Sequence, residues 1–212
     1  MRWGAAVADF TWDAARGRYW DALGQLVPES AIRASLDALI AHGQARSAVL
    51  AQRLAEGHLS LLDFRAAMQD ELKAGHAASA MLAAGGRAQM TPALRGALGA
   101  RLRGEYDYLA NLSLDWAQGR MTPAQLGARV AMYPEAVYGT YEAGRLRAAV
   151  ARGETEGRSV LGGSRESCDQ CRSEAGAGWR PLAEIAPIGS RSCRSRCRCT
   201  IETQVASAVA AA

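Results

Sequence analysis

The chain has 212 residues, of which 49% are apolar, 22% charged and 6% aromatic. This composition fits one medium globular domain, or one domain with a small satellite, and excludes disorder, collagen and coiled-coil arrays. There are 25 basic residues against 21 acidic ones, a net charge of +4, too dilute to imply nucleic acid unless it is clustered.

No apolar run approaches the roughly 18 residues needed to span a bilayer, and Asp9, Asp13 and Arg16 interrupt anything like a signal-peptide core. The sequence therefore predicts no membrane span and a product that is cytosolic at synthesis. All five cysteines lie between positions 168 and 199, and the first 167 residues have none. In a reducing compartment such a cluster reads first as metal ligands or redox thiols and only then as disulfides.

Residues 1–29 read as an N-terminal arm or short hairpin, with Phe10-Thr11-Trp12-Asp13 and Arg18-Tyr19-Trp20 on either side of a turn containing Gly17. A helical body is predicted over 30–152. Ser30 is the expected cap of a first helix to about Glu56, closed by Gly57, and Ser60 caps a second that ends near Gly85-Gly86. Thr91-Pro92 and Thr122-Pro123 each join a cap residue to a proline at the first helical position, where its missing N–H costs nothing. The four segments, 30–56, 60–84, 91–118 and 122–152, are long enough to reach about 40 Å each at 1.5 Å per residue. Their alanine content and short connections suit antiparallel neighbours in an elongated bundle. Pro134 is expected to kink or split the fourth.

From Gly153 the composition changes to glycine, proline and polar residues, so 153–163 reads as a linker, 164–205 as a cysteine-rich module and 206–212 as a tail. The predicted fold is mainly α: an elongated bundle of about four long helices carrying a small C-terminal zinc-ribbon-like α+β module.

Cys168-x-x-Cys171, followed after a gap by Cys193-x-x-x-Cys197-x-Cys199, is a two-knuckle arrangement of the kind that four soft ligands need to converge on Zn²⁺ at about 2.3 Å. Four of these five cysteines are expected to hold a structural Zn²⁺ that replaces the core a small module lacks. Disulfides formed in an oxidising environment, and catalytic thiols, are the competing readings. His42, His58 and His76 lie far upstream and read as surface or helix-end residues. Neither His-Glu-x-x-His, nor a Gly-x-Ser-x-Gly elbow, nor a phosphate-binding Gly-x-x-x-x-Gly-Lys loop occurs, so no catalytic residue is assigned.

Arg191, Arg194, Arg196 and Arg198 interleave with the last cysteines. They read either as compensation for thiolate charge, donating to the sulfurs, or as a basic run for nucleic acid. Trp179 and Leu182 are expected in the module's apolar core. Tyr106, Tyr108, Leu109, Leu112 and Trp116, with Tyr133, Tyr138 and Tyr141, are expected in helix contacts.

The C-terminal residues carry a resemblance. Cys168-x-x-Cys171, a glycine-rich stretch with Trp179 and Pro181-Leu182, and Cys193-Arg-Ser-Arg-Cys197-Arg-Cys199-Thr200 resemble the end of phage head morphogenesis proteins of the Mu F-like minor head family. These finish in Cys-x-x-Cys and then His-Pro-x-Cys-Arg-Cys. The histidine is missing here, and Cys193-Arg194 stand in its neighbourhood. Upstream, Arg16-Gly-Arg-Tyr19, Gly57-His58-Leu59-Ser60, Gly85-Gly86, Gln89-Met90-Thr91-Pro92 and Ala128 to Tyr133 are similar in style to phage structural proteins. The resemblance implies a non-enzymatic virion protein that is portal- or capsid-associated. Its implied partners are the portal or major capsid protein, packaged DNA and further copies of itself. Its implied location is the host cytoplasm during assembly, then the head interior or portal region.

Overall fold

Proline, glycine and hydroxyl residues fix most of the helix ends. The computed structural model describes residues 10–13, 16, 18–162 and 167–206; Gly17 of the expected turn, residues 163–166 where the expected linker meets the cysteine-rich module, and the expected tail beyond 206 lie outside the described residues. Three long helices run unbroken: α1 (Glu29–Ala55), α2 (Leu61–Ala84) and α3 (Pro92–Ala117). Ser60 caps α2 by accepting the Asp63 N–H at 3.1 Å, and Thr91 caps α3 by accepting that of Leu94 at 3.2 Å. The expected cap at Ser30 is not used. Pro28 takes that place with φ −69° and no side-chain cap bond, because its ring already holds the chain extended before Glu29.

Four unbroken helices are not reproduced. The fourth segment is two helices, α4 (Pro123–Val130) and α5 (Met132–Ala151), separated at Ala131. Pro134 sits in the first turn of α5, where the missing N–H is tolerated, so the break falls just before it. Thr122 and Gln125 close a reciprocal capping box on α4, with bonds of 2.8 and 3.3 Å.

The N-terminal residues form an antiparallel sheet of β1 (Phe10–Asp13), β2 (Arg18–Asp21) and β3 (Leu26–Val27), in that order. Trp12 faces Tyr19 across the first pair, with their rings edge-on at 4.8 Å. This sheet docks on the end of α2, where Trp12 N–H donates to the Gly85 carbonyl at 2.8 Å. Gly85 has φ +86°, and a Cβ there would lie 2.2 Å from that of Trp12. The glycine is thus required both by its left-handed backbone and by the approach of the hairpin.

The described part of the expected linker, 153–162, is not a linker. It carries β4 (Glu156–Val160), the central strand of a second antiparallel sheet flanked by β5 (Arg180–Pro181) and β6 (Thr200–Gln204). Short strands with glycine and charge can be central here because α6 (Asp169–Gly176) and the turn at 182–184 cover one face.

Among the described residues, two apolar clusters fill the interior. One joins Leu54, Phe64, Met68, Leu109, Leu126 and Val130 at one end of the helices. The other joins Ile32 and Leu36 of α1, Leu82 of α2, and Tyr138 and Tyr141 of α5 to Ile185, Ile188 and Ile201 of the C-terminal module, together with Cys171, Cys197 and Cys199. The module thus shares a core with the helices instead of standing apart. Polar bonds reinforce the seam: Arg145 donates to the Ile201 carbonyl at 2.9 Å, and the Thr200 hydroxyl donates to Glu142 at 3.1 Å.

Several side chains lie elsewhere than expected. Trp179 is 39% exposed beneath the Arg158 guanidinium, and Tyr108 is also exposed, whereas Leu182, Leu109, Leu112, Tyr133, Tyr138 and Tyr141 are buried. Trp179 follows the turn at Gly178, and the cation over its ring is attracted to the ring's face. His42 and His58 are on the surface, but His76 is fully buried in α2, its Nδ1 2.7 Å from the Thr140 hydroxyl of α5.

Burial, with the nearby Arg101 charge, holds His76 neutral and pushes its pKa down to about 3. The unfolded chain takes up that proton near pH 6.5 and the folded one does not. Stability from this group is therefore complete above about pH 6.5 and declines as pH falls toward 3, by up to about 1.4 kcal/mol per pH unit. Urea titrations between pH 7 and pH 4.5 are expected to show this decline, and His76→Gln should flatten it even where it lowers stability throughout.

Candidate metal centre

Five thiols converge at the point where the C-terminal module meets the helices. Cys168 is the cap of α6, and its sulfur accepts the Cys171 N–H at 3.4 Å. That geometry turns the Cys-x-x-Cys stretch so that both sulfurs face one side of the helix start. Cys193 and Cys197 flank a single 3₁₀ turn at Arg194–Arg196, in which Arg194 takes φ +50°. Cys199 leads into β6 and is buried with Cys197.

The Cys171 sulfur lies 3.5 Å from that of Cys193 and 3.7 Å from that of Cys197. Two triads of mutually close sulfurs result, Cys168-Cys171-Cys193 and Cys171-Cys197-Cys199, each within 4.8 Å. The thiols are close enough together to hold a metal ion, and an all-sulfur donor set is compatible with Zn²⁺. All five cysteines are free thiols. Among the described residues, no histidine or carboxylate shares either triad.

The electrostatics differ across the cluster. A hydrogen bond from Ser192, with further help from the Cys171 N–H, lowers the Cys168 thiol to about 6. Burial raises the thiols of Cys171 and Cys193, and Arg191 opposes that rise at Cys171.

The four arginines divide. Arg191 is fully buried. Its guanidinium donates to the Ala186 carbonyl at 2.9 and 3.1 Å, to the Ser159 hydroxyl at 2.8 Å and to the Cys171 sulfur at 3.8 Å. It cannot meet a phosphate from there, contrary to the nucleic-acid reading of the basic run, and instead donates to a thiol of the cluster, as charge compensation requires. Arg198 lies over the Tyr138 ring at 5.2 Å and donates to the Ser195 and Cys197 carbonyls. Arg194 and Arg196 remain exposed, Arg196 with Glu135 at 4.0 Å.

Three supporting residues carry no sequence signal. Glu174 of α6 accepts from Arg180 and from the Ala186 N–H, and lies 3.9 Å from Arg191. Ser159 of β4 receives Arg191, and Gln170 accepts the Ser192 N–H at 2.9 Å. Each is an ordinary polar residue with a partner at least twelve positions away: Ala186 for Glu174, Arg191 for Ser159 and Ser192 for Gln170. No protein family, curated protein or solved structure was found to match this chain.

Removing the buried guanidinium leaves the Ala186 carbonyl and Ser159 without a donor. Arg191→Met is expected to cost about 3 kcal/mol, whereas Arg196→Met at the surface changes stability by no more than about 0.5 kcal/mol. Chemical denaturation of the two variants side by side measures the difference.

Proposed function

We propose that this chain is a non-enzymatic structural or assembly protein in which the cysteine cluster holds one structural Zn²⁺. The observation that supports this reading is the closure of five thiols around buried Cys171 at the seam between module and helices. Catalytic zinc ordinarily keeps an open position beside histidine or carboxylate ligands, and an all-cysteine set of this kind is that of a structural ion. The residues that would hold it are four of Cys168, Cys171, Cys193, Cys197 and Cys199. The ion would supply local folding energy, tying α6 and the 3₁₀ turn to the strand that follows.

The long helical body then serves as a packing surface, and the resemblance to the Mu F-like minor head family gives the setting: a minor phage head component beside the portal or major capsid protein. The nucleic-acid reading draws little support, since Arg191 and Arg198 are both engaged within the fold.

Elemental analysis of the purified chain is expected to find one zinc per chain. Stripping it with a chelator should lower the melting temperature and expose Ile201 and Tyr138 to solvent. A metal-free chain of unchanged stability would dismiss the zinc. Coexpression with the portal and major capsid proteins of the same genome should return this chain in purified heads; its consistent absence from them would dismiss the assembly role.

A further inference from the structure

A tetrahedral ion has four positions, and this site offers five thiols. The surplus is not a remote, separate cysteine, because all five belong to one or other of two triads that overlap at Cys171. Four-thiol sets can be enumerated against that geometry. Any set containing Cys171 includes one complete triad plus one thiol of the other. The only set without Cys171 contains no complete triad. Sulfurs bound at about 2.3 Å around a tetrahedral ion stand about 3.8 Å apart, and Cys171 already lies 3.5 and 3.7 Å from one member of each triad.

Burial and hydrogen bonding single out the same residue. Cys171 is 1% exposed, and the fully buried Arg191 donates to its sulfur at 3.8 Å. Such a donor favours the thiolate and fixes its direction. Cys168 and Cys193 lie on the half-buried side of the cluster, whereas Cys197 and Cys199 lie on the buried side. Cys171 alone belongs to both sides, through Cys193 on one and Cys197 on the other.

From this geometry we infer that Cys171 is the one thiolate the centre cannot replace, and that the fifth thiol makes each of the remaining four replaceable. The inference rests on the zinc reading above and adds to it a ligand set that can exchange. When a thiol on the half-buried side is lost, to oxidation or alkylation, a buried one completes the coordination. The centre thus keeps its ion through damage that would empty an ordinary four-cysteine site.

Cobalt(II) titration of the full chain tests this, read by the thiolate-to-cobalt absorption, which grows with the number of bound sulfurs. Cys168→Ser and Cys199→Ser are each expected to bind one Co²⁺ with wild-type absorption intensity and an affinity within about tenfold of wild type. Cys171→Ser should lose more than about 100-fold. In any fixed set of four ligands at least one of Cys168 and Cys199 is indispensable. Loss of binding in either of those variants therefore overturns the inference, even if Cys171→Ser fails to fold. Wild-type affinity in Cys171→Ser overturns it as well. A wild-type chain that binds no cobalt at all would instead remove the metal reading on which it rests.

Discussion

Helix α5 is buried on two sides, and the placement of everything else follows from that. Its Tyr138 and Tyr141 pack in one core with Ile32 and Leu36 of α1, Leu82 of α2 and Ile201 of β6. Gly144 lets α5 approach α2 so closely that a Cβ there would lie 2.5 Å from that of Ala83. A helix buried this way needs small residues where backbones approach and aromatic residues where the gap widens, and α5 has both. The C-terminal module therefore does not need to build a complete core from its own few apolar side chains. It borrows one wall from α5.

The same arrangement explains where polar groups are buried. Arg145 and Glu142 project from α5 toward β6, and each finds a partner at Ile201 or Thr200. Arg191 is enclosed completely, yet it has the Ala186 carbonyl, the Ser159 hydroxyl and the Cys171 sulfur around it. A guanidinium is tolerated in such a place only when its donors are used. The cysteine cluster and this arginine are therefore one structural unit, with the positive charge set against whatever negative charge the thiolates carry. A metal ion there would brace a contact between sheet and helices as well as the loop that holds it.

Much of the site and part of the fold were legible in the residues. The caps at Ser60, Thr91 and Thr122, and the break introduced by Pro134, follow from short-range sterics and hydrogen bonding, which a few neighbouring residues decide. The convergence of cysteines is similarly readable, because Cys-x-x-Cys constrains its own turn. Ser30 was misleading because Pro28, two residues earlier, imposes the extended conformation that a helix entry needs. His76 was misleading because nothing in Lys73-Ala-Gly-His76 reveals that α5 will cover it. Trp179 shows the opposite: a large apolar ring that lies partly on the surface, with the Arg158 guanidinium over it.

Sequence by itself thus determined the helical character of the body, most helix boundaries, and the cluster of soft ligands near the C-terminus. These are properties of local backbone preference and of residue chemistry. Tertiary structure alone decided that Glu156–Val160 is a central strand, that the module shares its core with α1, α2 and α5, and that Arg191 turns inward. It also decided that Cys171 belongs to both sulfur triads. Each of these depends on contacts between residues far apart in the chain, and no local pattern specifies which remote partner a strand edge, a guanidinium or a sulfur will meet.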